Sequence, residues 1–288
     1  MAFALAALSA FCFAAGLLTA RVGLRTLDAR SGAAISIPTA ALLFLLLAPF
    51  TIDAGGIDMR AVLLFAAVGV FFPALVTLLT FRSNHLLGPT ITSAVAGTSP
   101  LFAILAAAVV LGEQVPARAA VAALGVVAGI ALLSWRRGAL PGTIAGTALV
   151  WPIAGAVVRG VAQVGAKAGL MVWASPFAAC LIGYVMSSAS VIAADRLREA
   201  RPGRPTRASL AWFAATGLLN GLAVLAMYAA LGAAPVWVVA PIVASYPLVT
   251  AILGAAFLHD EKPSPQAVAG AIVTAAAIVY LVGAHDAA

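Results

Sequence analysis

The feature that most constrains this chain is a series of apolar stretches, each about 20 residues long, that recurs from one end of the sequence to the other. A helix of about that length crosses the hydrocarbon core of a bilayer. Only 9% of the residues are charged and 64% are hydrophobic, whereas a soluble domain carries about 25% charge. The sequence therefore predicts an all-α integral membrane protein. The short alternating segments typical of a membrane barrel are not visible in it.

We predict ten transmembrane helices, joined mostly by short loops that carry turn-forming or charged residues, such as the loop at residues 82–88. The first stretch lacks the basic start of a secretory signal, so we interpret it as a retained helix. The longest connection, residues 195–207, contains five arginines. The predicted spans are residues 2–20, 33–51, 61–81, 89–111, 117–134, 143–166, 173–194, 209–230, 235–258 and 266–283.

The two halves of the chain resemble each other at a nearly constant offset of 146 or 147 residues. This indicates a first five-helix repeat at 1–140 and a second at 141–288. Because five is odd, the second repeat must enter the membrane inverted, and inverted repeats surround a cavity that opens to each side in turn. The matching landmarks are Arg21–Leu24 with Lys167–Leu170, Gly88-Pro89 with Ala234-Pro235, Ser99–Leu101 with Tyr246–Leu248, and Leu111–Glu113 with Leu258–Asp260.

The basic residues set the expected orientation. The net charge of +7 is better explained by anionic lipid headgroups than by nucleic acid, because arginines at span ends meet the membrane surface. With ten spans, one side collects twelve Lys and Arg residues, and the other collects Arg60, Arg118 and Lys167. The positive-inside rule places the rich side in the cytoplasm, so both termini should be extracytoplasmic. We expect a multi-pass protein of the cell (inner) membrane.

Motifs for nucleotide, zinc or nucleophilic chemistry are not found in the sequence. The cysteines, Cys12 and Cys180, fall inside spans and are interpreted as packing residues. The three histidines lack ligand spacing. We therefore expect no catalytic residues, no metal and no cofactor. The expected partners are a small-molecule substrate and membrane lipids, not nucleic acid, with the chain acting as a monomer or homodimer.

Two segments at repeat spacing carry a family resemblance. The first, Ser99-Pro100-Leu101-Phe102 through Leu111-Gly112-Glu113 followed by Gly125 and Gly129, resembles the fourth and fifth helices of the drug/metabolite transporter superfamily, EamA type. The second, Tyr246-Pro247-Leu248 through Asp260 and Glu261 with the apolar run to Leu281, resembles the ninth and tenth helices. The length, ten spans and duplication extend the resemblance over the whole chain. It implies a central cavity lined mainly by spans 1, 3, 4, 6, 8 and 9, and transport of small metabolites.

Ionisable groups inside a bilayer are candidates for function because burying them is costly. Arg159, Gln163 and Lys167 share one face of the sixth span, and Arg21 matches Lys167 by repeat position. One interpretation is a basic lining that attracts a carboxylate or phosphate. The alternative is that Lys167 and Arg21 reach the headgroups from span ends, and that Arg159 bonds helix-end carbonyls.

Acidic residues are confined to loops and span ends. An exporter of cationic drugs that couples to protons generally needs a carboxylate inside the membrane. This chain therefore favours a neutral, zwitterionic or anionic substrate. Glu113 and Asp260 are interpreted as structural groups that cap or anchor span ends in the two halves.

Further polar and aromatic positions are candidates for shaping the cavity. Pro100 and Pro247 free backbone groups in their spans, and neighbouring hydroxyls either repair these kinks or leave carbonyls for the substrate. Tryptophan side chains either stack on a ligand or anchor at the interface. The threonines of span 3, Thr77 and Thr80, are weaker candidates. The candidates in this group are Thr98, Ser99, Asn220, Tyr228, Trp237, Ser245 and Tyr246.

Taken together, these features predict a secondary transporter of a small neutral, zwitterionic or anionic metabolite that works by alternating access, with export as the expected direction. The alternative is a flippase or carrier for lipids or lipid-linked sugars, whose phosphate would suit a basic face. A membrane enzyme would need a clustered acid, base or metal set, which the sequence lacks.

Overall fold

The structure is a computed structural model of the 288-residue chain and describes residues 1–52, 56–133, 146–196, 205–257 and 265–286. Within these ranges the regular structure is helical, without strands, and a short 3-10 turn at Gly146–Leu149 precedes the seventh helix. The helices are α1 (Ala2–Gly23), α2 (Ala29–Thr51), α3 (Met59–Phe71), α4 (Ala74–Ala96), α5 (Ser99–Val110), α6 (Ala117–Leu133), α7 (Val150–Val172), α8 (Pro176–Arg196), α9 (Arg207–Ala233), α10 (Val236–Ala244), α11 (Tyr246–Phe257) and α12 (Pro265–Asp286).

The helices of the described part group into the ten predicted spans. Most spans are single helices, but three are interrupted. The third span is α3 with the first part of α4, the fourth is the rest of α4 with α5, and the ninth is α10 with α11. Among the described residues, six helical segments are by length and composition apolar enough to cross a bilayer. The loop between repeats, around residue 140, lies outside the described residues, so the repeat boundary stays a prediction.

The turn between the third and fourth spans lies inside α4. The hydroxyl oxygens of Ser83 and Thr92 are 2.6 Å apart, although nine residues of straight helix would separate them by about 13.5 Å. The chain therefore turns back on itself between these residues while keeping helical geometry. The prediction of a non-helical loop at 82–88 was wrong, because helical hydrogen bonding continues through the turn.

The two halves pack reciprocally, as expected of inverted repeats: where a helix of one repeat contacts the other repeat, its counterpart makes the equivalent contact. α1 packs against α9, and its counterpart α7 packs against α3 and α4. Likewise α2 packs against α9, and its counterpart α8 packs against α3. Three contacts join equivalent spans of the two repeats: spans 2 and 7 through α2 and α8, spans 4 and 9 through α5 and α10, and spans 5 and 10 through α6 and α12. These three pairs lie across the pseudo-two-fold axis that relates the halves.

The fourth and ninth spans are interrupted at equivalent positions. Thr98 Oγ1 donates to the Val95 carbonyl at 2.6 Å, and Ser245 Oγ donates to the Ile242 carbonyl at 2.6 Å. Each hydroxyl thus bonds a carbonyl three residues earlier, just before a proline that cannot donate a backbone hydrogen bond. In both halves this carbonyl also accepts the backbone amide of the same residue, so the role of the carbonyls that Pro100 and Pro247 leave free stays a prediction.

A third interruption separates α3 from α4 at the cis peptide bond Phe72-Pro73. The fully buried Ser187 of α8 bridges it. Its hydroxyl donates to the Gly69 carbonyl at 2.6 Å and accepts from the Ala74 amide at 3.2 Å. Unpaired backbone groups are costly in a bilayer, so the two hydrogen bonds of Ser187 lower the free-energy cost of the interruption. The interruption faces the cavity described next.

Candidate functional site

A small cavity lies at mid-height between the two halves. Its volume is about 80 Å³, which is room for on the order of six water molecules. The walls come from α1, the α3–α4 interruption, the first part of α4, α7, α8, α9 and α11. The lining residues are Phe13, Gly16, Leu17, Ala20, Phe72, Pro73, Val76, Thr77, Thr80, Arg159, Tyr184, Asn220, Val224 and Tyr246.

Arg159 is the charged residue of this lining. Its guanidinium carbon lies 5.8 Å from the ring centre of Phe13 and 5.9 Å from that of Tyr246, and both distances are within the range of cation–π attraction. The two ring centres are themselves 6.2 Å apart, so the guanidinium lies beside both rings at nearly equal distances. Its Nε is buried and has no hydrogen-bond partner. A cation held in this way keeps donors free for an anionic or carbonyl group of a ligand.

Neutral polar side chains share the cavity with Arg159, among them Tyr184 and Asn220. Tyr184 of α8 is 2% exposed, and its hydroxyl has no partner. Asn220 of α9 packs against α1, where a Cβ at Gly16 would lie 2.5 Å from its Oδ1. None of the described residues that line the cavity is acidic. The described lining therefore offers one positive charge, an amide and the hydroxyls of two threonines and two tyrosines, which suits a small ligand with a carboxylate or another negative group.

One end of the molecule is held closed by a glutamate and a lysine at the junction of α9 and α10. Both carboxylate oxygens of Glu113 accept from the Val236 amide at 3.0 Å. The Lys167 ammonium donates to the carbonyls of Leu231 and Ala234. A negative group thus caps the start of α10 and a positive group caps the end of α9, as helix dipoles favour.

This closed end is opposite to the end that carries most of the arginines, because the connections after α5, α7 and α9 all lie on one side of a ten-span bundle. The cavity lining instead reaches Ala20 and Thr80, which adjoin Arg21 and Arg82 in sequence. The cavity therefore extends from mid-height toward the arginine-rich end.

Of the predicted substrate-binding residues, the structure brings Arg159, Asn220 and Tyr246 together in the cavity. Thr77 and Thr80, the weaker candidates, also line it. Sequence reasoning missed Tyr184, although a polar aromatic residue in the middle of a span was a usable signal. It also missed the α3–α4 interruption, for which Pro73 was the available signal.

The other candidates lie outside the lining. Gln163 is 1% exposed, and its Oε1 has no partner. Tyr228 and Trp237 are buried in the core cluster. Arg21 is exposed in the last turn of α1, and Lys167 bonds backbone carbonyls at the closed end. Ser99, Pro100 and Pro247 lie at the span interruptions, together with Thr98 and Ser245, whereas Asp260 lies outside the described residues.

The set of lining spans also differs from the expectation. In the described part of the chain the fourth span contributes no lining residue, and the seventh contributes Tyr184. α5 packs closely on α7, where a Cβ at Gly160 would lie 2.7 Å from the Ala103 amide nitrogen. At this level the fourth and sixth spans are in direct contact.

The bundle of inverted repeats around a mid-height polar cavity is that of a multi-pass membrane transporter. The EamA-like transporter family model matches residues 1–135 and 146–283. The chain belongs to this family, whose members are transporters of small molecules and not enzymes.

Comparison with solved structures supports the fold. One, described only as "Crystal structure of protein", superimposes with a TM-score of 0.81 at 14% identity. The match covers 97% of this chain and 95% of that chain. At this identity the likeness concerns the fold alone. No curated protein matches the sequence significantly.

Proposed function

We propose that this protein is a secondary transporter that exports a small neutral, zwitterionic or anionic metabolite by alternating access. The observation that carries the proposal is Arg159, which lies beside two aromatic rings at mid-height and has a buried, unpartnered Nε. Each charge-assisted hydrogen bond from such a group contributes about 1.5–3 kcal/mol. A substrate carboxylate or phosphate is the natural partner.

The charge of the cavity argues against lipophilic cations. A cation in this cavity would meet Arg159 without a carboxylate among the described lining residues to offset the repulsion. The small cavity volume also supports a compact metabolite rather than a drug-sized ligand, because drug-sized ligands occupy roughly 300–1,000 Å³. Within the anionic class, the aromatic rings of Phe13 and Tyr246 favour a substrate with some apolar surface.

The closed end supports the mechanism. Glu113 and Lys167 close one end, while the cavity extends toward the other. The positive-inside rule places the arginine-rich end in the cytoplasm, so this conformation would accept substrate from the cytoplasm and both termini would be extracytoplasmic. Release requires separation of the α9–α10 junction from Glu113 and Lys167.

Thermal-shift measurements on purified protein test the substrate class, using separate panels of amino acids, organic acids, nucleosides and cationic drugs. We expect stabilisation by an anionic or zwitterionic compound, and loss of about 10- to 150-fold in its affinity in Arg159→Gln. Arg196→Gln, which removes an exposed arginine at the end of α8, is the matched control. Stabilisation by a cationic drug, or equal affinity in both variants, would refute the proposal. Uptake of the same compound into inside-out vesicles tests the direction.

One observation favours the lipid-carrier alternative. A larger, leucine-rich recess opens beside the cavity at the arginine-rich end. A lipid carrier would move labelled phospholipid or lipid-linked sugar across proteoliposome membranes, and would do so more slowly after Arg159→Gln. Lipid movement without transport of any soluble compound would replace the metabolite proposal by this alternative.

A further inference from the structure

A second and larger recess lies on the outer side of α4, separate from the substrate cavity. Its volume is about 780 Å³, within the range of ligand sites. Its walls come from the connection between α1 and α2, the start of α2, α4 and the start of α7. We call it the leucine recess, after Leu24, Leu27, Leu75, Leu78, Leu79 and Leu86 in its walls.

The two faces of α4 separate this recess from the substrate cavity. Val76, Thr77 and Thr80 line the cavity, whereas Leu75 and Leu79 line the recess. Leu79 is buried, whereas Leu75 is 40% and Leu86 50% exposed, so the recess reaches from the helix packing to the surface of the bundle. Its exposed leucines are accessible to lipid tails from the side.

The charge of the leucine recess is concentrated at one end. Arg30 and Arg82 line it there, and both are exposed. Arg82 lies seven residues after Leu75, or about 10 Å along a helix. Its guanidinium stacks over Trp151 at 4.4 Å, which leaves the edge donors of the planar group directed away from the ring.

One carboxylate also lines this end, and it is already engaged. Asp28 Oδ1 accepts from the amides of Arg30 and Ser31, and Oδ2 accepts from the Ser31 hydroxyl. The carboxylate therefore caps the start of α2, where it meets the positive end of the helix dipole. With Arg30 and Arg82 against the single carboxylate of Asp28, the charge at this end of the leucine recess is net positive.

From this juxtaposition we infer that the leucine recess is a binding site for an anionic phospholipid. Its acyl chain lies along the leucines and its phosphate meets Arg30 and Arg82. Basic groups between membrane helices on the arginine-rich side bind anionic headgroups, while a soluble anion would gain nothing from the apolar walls. The lipid would join α1 and α2 of the first repeat to α7 of the second through Trp151 and Arg82. This site is distinct from the substrate cavity and does not depend on what the cavity transports.

Native mass spectrometry of the full-length protein, titrated with phosphatidylglycerol or phosphatidylcholine, tests the inference. Each arginine near a headgroup contributes a factor of about 5, so Arg30→Ala with Arg82→Ala should weaken phosphatidylglycerol binding by about 25-fold. The matched control removes two arginines from the opposite end, Arg60→Ala with Arg118→Ala, and should retain the preference. Leu75→Trp fills the recess without a change in charge and should weaken both lipids.

Thermal shift with inorganic phosphate distinguishes a lipid site from a simple anion site. We expect phosphatidylglycerol to stabilise the protein and phosphate alone not to do so. Equal binding of the two lipids, an equal loss in the control pair, or full stabilisation by phosphate would each overturn the inference. Arg159→Gln should keep the lipid preference, so failure of the transport proposal and failure of this one give different results.

Discussion

Ser187 of α8 bridges the interruption of the third span, and its replacement by alanine isolates that role. The change removes the hydroxyl that donates to the Gly69 carbonyl and accepts from the Ala74 amide. Gly69 and Ala74 are both buried, so water does not replace the lost partner. One donor and one acceptor are left unsatisfied at a site where Pro73 already prevents normal helical bonding.

Two known magnitudes bound the loss of unfolding free energy expected for Ser187→Ala. Leaving a buried polar group unsatisfied costs about 1–3 kcal/mol. Hydrogen bonds between membrane helices average only about 0.6 kcal/mol, because the unfolded chain in the membrane also finds partners. Two lost bonds therefore bracket the loss at about 1–3 kcal/mol in the free energy of unfolding. We expect a value in the upper half of this range, since the interruption offers no alternative partner.

The matched control is Ser188→Ala. Ser188 is the next residue and is also buried, but its hydroxyl bonds only the Tyr184 carbonyl within its own helix. Such a bond within the helix adds little to stability. Unfolding of both variants in mixed micelles with increasing denaturing detergent gives the two free energies. A difference below about 0.5 kcal/mol between Ser187→Ala and Ser188→Ala would refute the bridging role.

Three other predictions follow from the same structure. Glu113→Gln weakens the cap on α10, so Val236→Cys should react faster with a water-soluble maleimide in that variant, whereas Gln114→Ala should leave its rate unchanged. Tyr184→Phe removes an unpartnered buried hydroxyl and should leave stability equal or higher by up to about 1 kcal/mol, while ligand-induced stabilisation falls. An undiminished ligand response would contradict a role for Tyr184 in binding. For topology, Ala2→Cys should be labelled from outside intact cells and Thr26→Cys only after permeabilisation; the reverse pattern would place the termini in the cytoplasm. All three cysteine substitutions are labelled in a variant in which Cys12 and Cys180 have been replaced.

Much of the fold could be predicted because membrane burial imposes simple rules on sequence. Apolar length gave the spans, and the constant offset between Arg21 and Lys167 revealed the repeat. Three candidate site residues, Arg159, Asn220 and Tyr246, lie together in the cavity, whereas Gln163 and Tyr228, which are also polar and inside spans, do not. By contrast, the helical turn within α4 was predicted as a loop, since composition does not report hydrogen bonding.

The roles of individual polar residues were decided only by tertiary contacts. Arg159 and Lys167 lie on one face of α7, yet Arg159 lines the cavity and Lys167 bonds the end of α9. Periodicity within a helix gives the face on which a residue lies, but not which other helix covers that face at a given height. Tyr184 was missed for the same reason: its exposure to the cavity depends on the α3–α4 interruption.

The sequence by itself determined the environment, the helical class, the number of spans and the inverted duplication, because these follow from hydrophobic length and parity along one chain. Only the tertiary structure decided which span ends are tied together, where the helices are interrupted and which side chains share the cavity. Those outcomes depend on contacts between residues far apart in sequence, such as Glu113 with Val236 and Ser187 with Gly69. The symmetry of the repeat fixes the scaffold, whereas the single arginine at mid-height belongs to one repeat only.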